Sequence, residues 1–343
     1  MHIQNQPVKV GVTEPEFWKA QSVFARADEN GCHCVVLPPA EEELATGLRE
    51  QEIHYVIVGV GSYRGPLYEA LRPGGVIARF GVGHDGVDKQ QATGKGLLCT
   101  NTPGVLDDSV AEHTIGLLLA LARQTLEQAY RVRAGQWSPR MGVELRGKLL
   151  AVLGCGGIGR RVARLAARAF SMEVVGLRRS LAPAVLAPEE FGRTVSSFEE
   201  AVKGADFVSL HLPSVPETRH YLDRSRFERL PAGSFLINTA RGALVDEIAL
   251  YDILAEGRLA GAALDVFEDE PYKPRMPEKD LRRFANVIMT PHIASSTREA
   301  CDRIARRALG NIRLAVAGQY ADMDLLNPEV LRRFGASKTT PGE

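Results

Sequence analysis

The chain has 343 residues, enough for two domains of ordinary size, and 45% of them are hydrophobic, enough to bury real cores. Lysine plus arginine and aspartate plus glutamate both number 42, so the formal net charge is zero. That balance argues against nucleic acid or an anionic membrane as partner, since both demand a basic excess. The opening MHIQNQPVKVGV has no cationic segment followed by an apolar stretch, so no signal peptide is expected. The apolar run Ile115–Ala122 is too short to span a bilayer, and the cytoplasm is the expected compartment. Five cysteines (Cys32, Cys34, Cys99, Cys155 and Cys301) make an odd count, which argues against a disulfide framework. Cys32-His33-Cys34 has no second Cys/His pair at zinc spacing, so it reads as strand, and no metal site is expected.

Pro7–Val12 reads as a first strand, Glu16–Glu29 as a helix, Cys34–Leu37 as a strand and Glu41–Gln51 as a helix. Tyr55–Val60 is a third strand, followed by apolar runs at Leu67–Leu71, Val76–Phe80 and Leu97–Thr100. Such alternation over about 100 residues indicates a parallel, doubly wound sheet. Ligands of such sheets bind beyond the carboxyl ends of the strands, which makes Gly59–Arg64 and Phe80–Gly86 candidate site loops. Asn101-Thr102-Pro103-Gly104 then breaks the chain, and Asp107-Asp108-Ser109 offers N-cap chemistry. One long helix is expected from Val110 to about Arg133, apolar over most of its first half (Ile115, Leu117, Leu118, Leu119, Leu121) and so buried, lying between two domains at a hinge. Gly135–Gly147 reads as a linker, and a second unit begins at Lys148.

That unit opens with the strand Leu149–Leu153 and turns through Gly154, Gly156 and Gly159. An amphipathic helix and a second strand, Val174–Leu177, follow. In this context G-x-G-x-x-G has a physical meaning. Gly154 permits the sharp turn, Gly156 lets a pyrophosphate approach the backbone, and Gly159 lets helix and strand pack closely. The helix N-terminus offers free N–H groups to phosphate. An NAD site places an acid about 20 residues on to hold the ribose 2′-hydroxyl. Here the chain reads Leu177, Arg178, Arg179, Ser180, which suits a 2′-phosphate and favours NADP(H) over NAD(H), with NAD(H) left open. Cys155 reads as a small apolar filler of the loop.

Further on, Phe198–Val202 is a short helix, Phe207–His211 a strand, and Leu212–Thr218 a loop. Phe235–Asn238, Ala262–Val266 and Val287–Met289 are strands, Glu247–Glu256 is a helix, and Ser296–Gly318 a last helix before a polar tail. Polar residues stand at three of the strand ends: Arg241 after the first of these strands, Glu268-Asp269-Glu270 after the second, and His292 after the third. Arginine clamps a carboxylate at two points, histidine exchanges a proton near neutral pH, and a carboxylate beside it orients the ring. Arg241, Glu270 and His292 therefore fit hydride transfer on a 2-oxo or 2-hydroxy acid, with the redox chemistry left to the cofactor. Spacing alone does not choose among Glu268, Asp269 and Glu270 as the partner of His292.

ARFGVGHDGVD (Ala78–Asp88), NTPGVLDDSVAEHT (Asn101–Thr114), GCGGIG (Gly154–Gly159), HLPSVPET (His211–Thr218), NTARGALVDE (Asn238–Glu247), ALDVFEDEP (Ala263–Pro271) and TPHIASST (Thr290–Thr297) together resemble the D-isomer-specific 2-hydroxyacid dehydrogenases along nearly the whole chain. The resemblance implies that Arg241 binds substrate and polarises its carbonyl, that His292 is the acid–base, and that Glu270 is its partner. It implies cofactor contacts at Gly157, Ile158, Leu212, Thr239, Asp265 and Ser295 besides the glycines. Backbone at Val60-Gly61 and Val82-Gly83 would meet the substrate carboxylate. The expected fold is α/β, two doubly wound parallel-sheet domains, with a Rossmann cofactor domain (106–296) inserted into a discontinuous flavodoxin-like catalytic domain (1–105 and 297–333). A flexible tail (334–343) would follow. Hinges would fall near Pro103–Ser109 and Ser296–Arg303, and a homodimer is implied, with the long helix at the interface.

Two departures from the family pattern shape the expected function. Arg178 in place of an acid resembles the NADPH-using glyoxylate and hydroxypyruvate reductases. With the sequence ending near Glu343, no further regulatory domain of the long-form phosphoglycerate dehydrogenases is expected. A short-form phosphoglycerate dehydrogenase stays open, with Arg64 near a substrate loop, and so does a phosphite oxidase, which would keep all three catalytic residues. Formate dehydrogenases carry an amide at the place of Glu270. From another class, a dinucleotide-sensing transcriptional corepressor would need longer disordered tails.

Overall fold

The computed structural model describes residues 7–179 and 190–335. They form two compact units, divided after Leu106 and after Ser295. Among the described residues no helix is long and apolar enough to cross a membrane.

The first unit carries β1 (Val8–Thr13), β2 (Cys32–Leu37), β3 (Tyr55–Val58), β4 (Val76–Arg79) and β5 (Leu98–Thr100). All pair in parallel in the order β2-β1-β3-β4-β5, the flavodoxin-like order. Near-continuous apolar runs such as Tyr55-Val56-Ile57-Val58 suit strands covered on both faces. The helix expected over Glu16–Glu29 is interrupted: α1 (Glu14–Lys19) and α2 (Gln21–Phe24) are separated at Ala20, whose φ of −136° leaves the helical region, and a 3-10 turn follows at Ala27–Asn30. The break stacks Phe17 on Phe24, with ring centroids 5.8 Å apart, and sets Phe24 against Phe80. α3 (Glu41–Glu50) and α4 (Pro66–Ala70) cover the sheet. α5 (Lys89–Lys95) was not legible, being polar and two turns long; its ends carry it, with Asp88 accepting the amide of Gln91 and Gly96 in the left-handed region.

The second unit begins with α6 (Asp107–Ala122) and α7 (Thr125–Arg133), not the single helix expected. Gln124 takes a positive φ of 50° and splits it, and Asp107 and Asp108 stand in the first turn of α6 rather than capping it. There they complement the positive end of the helix dipole. α6 is buried against α8 (Gly157–Phe170) and the strands Ser234–Asn238 and Leu259–Leu264, while no residue of α7 is buried. The strands are β6 (Leu149–Leu153), β7 (Glu173–Leu177), β8 (Arg193–Val195), β9 (Phe207–Leu210), β10 (Ser234–Asn238), β11 (Leu259–Leu264) and β12 (Val287–Met289). Their order, β12-β11-β10-β9-β6-β7-β8, is parallel throughout and is the Rossmann arrangement with one added strand. The short β8 had no sequence signal of its own. Leu118, Leu121, Val162 and Ala166 fill one face of this sheet. Leu222, Phe227, Leu250 and Ile253 fill the other, supplied by the stretch that holds α9 (Phe198–Val202), α10 (Arg224–Arg229) and α11 (Glu247–Ala255).

The chain then returns to the first unit through α12 (Arg298–Val316), N-capped by the Thr297 side chain. Asn327, wholly buried, accepts the amide of Cys99 and donates to Leu97 O and Thr93 Oγ1, which ties the last described segment to β5.

Candidate active site

Two strand ends at the switch in strand order, β6 and β9, make the cradle. Gly154 has a φ of +112°, and a Cβ there would fall 2.5 Å from His211 O and 2.9 Å from Leu212 N. Only glycine lets the two loops close. A Cβ on Gly159 would fall 2.0 Å from Gly154 O, so α8 can lie on β6 only without one. At Gly156, the N-cap of α8, that space is open, and a pyrophosphate can reach the helix N-terminus there. Gly157 begins α8 and Ile158 follows it. These residues fit a dinucleotide. Leu212 is half-buried beside Gly154, and Thr239 is buried with its hydroxyl 2.8 Å from that of Thr114. Burial pushes His211 down to about 4, so its ring is neutral. Burial pushes the Cys155 thiol up to about 11, against the pull of the Arg178 charge. None of the five cysteines forms a disulfide.

At the end of β7, Arg178 is half-buried and its amide donates to Val195 O, while Arg179 is exposed. Ser180 lies outside the described residues.

Asp265, after β11, is wholly buried. Its Oδ1 accepts the Thr290 hydroxyl at 2.6 Å and the Ile293 amide at 2.9 Å, and its Oδ2 accepts the Ala294 amide at 2.9 Å. His113 Nε2 stands 3.6 Å from Oδ1. Burial alone would raise this carboxyl, but the bonds from His113, Thr290 and the two amides outweigh it and hold Asp265 below the ordinary carboxylate range. Its carboxylate oxygens are thus engaged with the turn that follows β12. In that turn His292 has a φ of 53°, unusual for a residue with a side chain, and its amide donates to Asp265 O at 2.8 Å. Ser295 follows, half-buried.

The geometry separates the three acidic neighbours. Glu270 Oε2 lies 2.7 Å from His292 Nδ1, while Oε1 accepts the amide of Phe267 at 3.0 Å. Glu268 meets His220 Nε2 at 2.9 Å and Arg219 at 3.3 Å, and Asp269 pairs with Arg275 at 3.0 Å. A carboxylate only accepts, so the proton shared with Glu270 belongs to His292 Nδ1, and Nε2 stays outside that contact. Arg241 follows β10, the neighbour of β11, and its guanidinium donates to Ala240 O at 2.6 Å. Asn238 shapes that turn, accepting the amide of Ala240 and donating to Arg241 O. Gly242 allows the next close approach: a Cβ there would lie 1.9 Å from the carbonyl carbon of Phe267.

In the first unit, Val60 and Gly61 follow β3, and Val82 and Gly83 follow the adjacent β4. Asn101 Nδ2 donates to Val82 O at 2.8 Å. Arg79 at the end of β4 is buried and donates to the carbonyl of Phe80. Arg64 is exposed, with Nε on the Ser62 hydroxyl. Sequence reasoning missed His113, His220 and Glu247. His113 had a signal, an imidazole two residues before the apolar run Ile115–Ala122; the others had none without the loop's three-dimensional course. Among the described residues no group of three or more His, Cys, Asp or Glu could hold a metal.

Residues 115–294 match the family profile described as D-isomer specific 2-hydroxyacid dehydrogenase, NAD binding domain. A glyoxylate reductase of Aeropyrum pernix is 40% identical over 304 residues, 86% of this chain and 88% of that one. A D-3-phosphoglycerate dehydrogenase of Methanocaldococcus jannaschii is 35% identical over 325 residues, 94% of this chain and 60% of that one. Among solved structures, an NADPH-dependent glyoxylate/hydroxypyruvate reductase from Sinorhizobium meliloti, in complex with NADP and malonate, is 29% identical. It superposes with a TM-score of 0.73, covering 91% of this chain and 94% of that one. The chain belongs to the D-isomer-specific 2-hydroxyacid dehydrogenase family and is an NAD(P)-dependent enzyme of that class.

One group near the site titrates in the physiological range. Burial lifts the Glu247 carboxyl to about 7, against the bond from the Glu268 amide, with the Glu268 and Asp269 charges adding to the rise. Unfolding returns it toward an ordinary 4.5. The folded chain thus holds the extra proton between those values, and this group's contribution to stability falls as pH rises from about 4.5 to about 7. Across that window the Tm of Glu247→Gln should rise relative to the unsubstituted protein. Parallel Tm curves would contradict the shift.

Proposed function

We propose that this enzyme is an NADP(H)-preferring reductase of a small 2-oxo acid of the glyoxylate or hydroxypyruvate type, forming the D-2-hydroxy acid. The observation that carries the reaction is the 2.7 Å contact of His292 Nδ1 with Glu270, one strand from Arg241. A bound nicotinamide supplies the hydride to the carbonyl carbon. Arg241 swings its guanidinium from Ala240 O to grip the substrate carboxylate and polarise the carbonyl. His292 Nε2 delivers a proton to the carbonyl oxygen, and Glu270 keeps the ring oriented and balances the charge. In the oxidative direction His292 takes the proton back.

The unit 107–295 is assigned the dinucleotide, held by Gly154, Gly156, Gly157, Ile158 and Gly159, with Leu212, Thr239, Asp265 and Ser295 around it. Arg178 and Arg179 take the 2′-phosphate, and Ser180 joins them by its place in the sequence. The first unit is assigned the substrate-facing backbone at Val60-Gly61 and Val82-Gly83. The Aeropyrum glyoxylate reductase and the Sinorhizobium reductase support this substrate class and, for the latter, the cofactor. A D-3-phosphoglycerate dehydrogenase is the second reading, supported by the Methanocaldococcus relative and by Arg64.

We also propose a homodimer through α7 and the segment after it. Leu126, Tyr130, Trp137 and Met141 expose large apolar area there, Trp137 at 88% and Met141 at 93%. Sedimentation should give twice the 37.4 kDa of the chain, and Trp137→Glu with Met141→Glu should give monomer. A wild-type monomer would remove this proposal.

The cofactor assignment is tested with glyoxylate, hydroxypyruvate and 3-phosphohydroxypyruvate against both reduced cofactors. NADPH should be oxidised with higher kcat/KM than NADH, and Arg178→Asp should move the ratio toward NADH by about tenfold or more, the scale of one lost charge-assisted contact. A wild-type preference for NADH, or no movement in the variant, rules out Arg178 as the 2′-phosphate residue.

A further inference from the structure

Glu247 has no part in the reaction as derived, and its placement is costly. It opens α11 directly after the N-cap Asp246 and is 5% exposed. One oxygen, Oε1, accepts the amide of Glu268 at 2.8 Å, and the other, Oε2, is buried with no hydrogen-bond partner among the described residues. A methionine would fill the same volume without leaving a polar atom unsatisfied.

What the carboxyl holds is the root of the loop that carries Glu270. Glu268 starts the acidic run, and its side chain is clamped from the other side by His220 and Arg219. Asp269 is tied to Arg275, and Gly242 presses on the backbone at Phe267. The amide of Phe267 donates to Glu270 Oε1, leaving Oε2 for His292. Two consecutive amides, of Phe267 and Glu268, are thus held by two carboxyls, one of them in contact with the histidine.

We propose that Glu247 is a positioning residue: by holding the Glu268 amide it fixes the turn Phe267–Glu270 and keeps the Glu270 carboxylate in contact with His292. Its effect on turnover rests on the acid–base reading of His292; its effect on the geometry does not.

The test uses the full chain with Glu247→Met, which keeps the volume and removes the acceptor, and Glu247→Gln, which keeps an oxygen for the Glu268 amide. Four quantities are read: NADPH affinity by fluorescence, kcat and KM for glyoxylate, and the downfield Nδ1-proton resonance of His292, assigned by its loss in His292→Ala. Glu247→Met should lose that resonance and drop kcat on the order of 10- to 100-fold, as expected for a misplaced catalytic group, while NADPH affinity stays within about twofold. Glu247→Gln should restore resonance and kcat to within about threefold. A Glu247→Met protein with wild-type resonance and kcat overturns the proposal, and so does a Glu247→Gln as damaged as Glu247→Met. Loss of the resonance with unchanged kcat keeps Glu247 as the positioning residue and overturns the acid–base role of His292 instead.

Discussion

Asp265 ends β11 with a carboxylate wholly withdrawn from solvent, and a charge so placed persists only when donors surround it. They come from one short stretch, the Thr290 hydroxyl and the amides of Ile293 and Ala294, with His113 behind. By drawing those groups inward the carboxylate winds the chain tightly around itself, and His292 takes the left-handed backbone that turns its ring outward to Glu270. Removing the Asp265 side chain would release three bonds together, leaving the turn only its backbone bonds from the His292 amide. The histidine therefore depends on a residue that does not touch its ring.

The remaining parts of the site follow from strand order. β10, β11 and β12 are parallel neighbours, so Arg241, the acidic run and His292 emerge side by side from one edge of the sheet. Hydrogen-bonded strands lie within about 5 Å of one another, which sets the spacing of the groups they end in. Glycines bring the connecting loops closer than side chains would allow. Gly242 admits the backbone of Phe267, and Gly154 admits that of His211 and Leu212. One edge thereby holds both the cradle at β6 and β9 and the strand ends that carry Arg241, Glu270 and His292.

Much of this was legible in the sequence because it is local. The strand–glycine turn–helix unit at Leu149–Leu177, the apolar strands and the polar strand ends each declare themselves within a few residues. What was not legible depended on backbone angles or on distant contacts. No periodicity warns that Gln124 will take a positive φ and split the helix at α6 and α7. Pairing among Glu268, Asp269 and Glu270 is set by loops from three strands, and adjacency in sequence could not assign it without the family resemblance. Glu247 reads as an ordinary acid at a helix start, helpful to the dipole, until its buried oxygen and its hold on Glu268 are seen.

If His292 carries the proton and the glycine loop carries the cofactor, as proposed, binding and turnover separate. The most direct measurement is turnover of glyoxylate by His292→Ala beside its NADPH affinity. The variant should bind NADPH within about twofold of the unsubstituted enzyme, with kcat lower by about two orders of magnitude or more. Near-normal kcat in that variant would contradict the proposal.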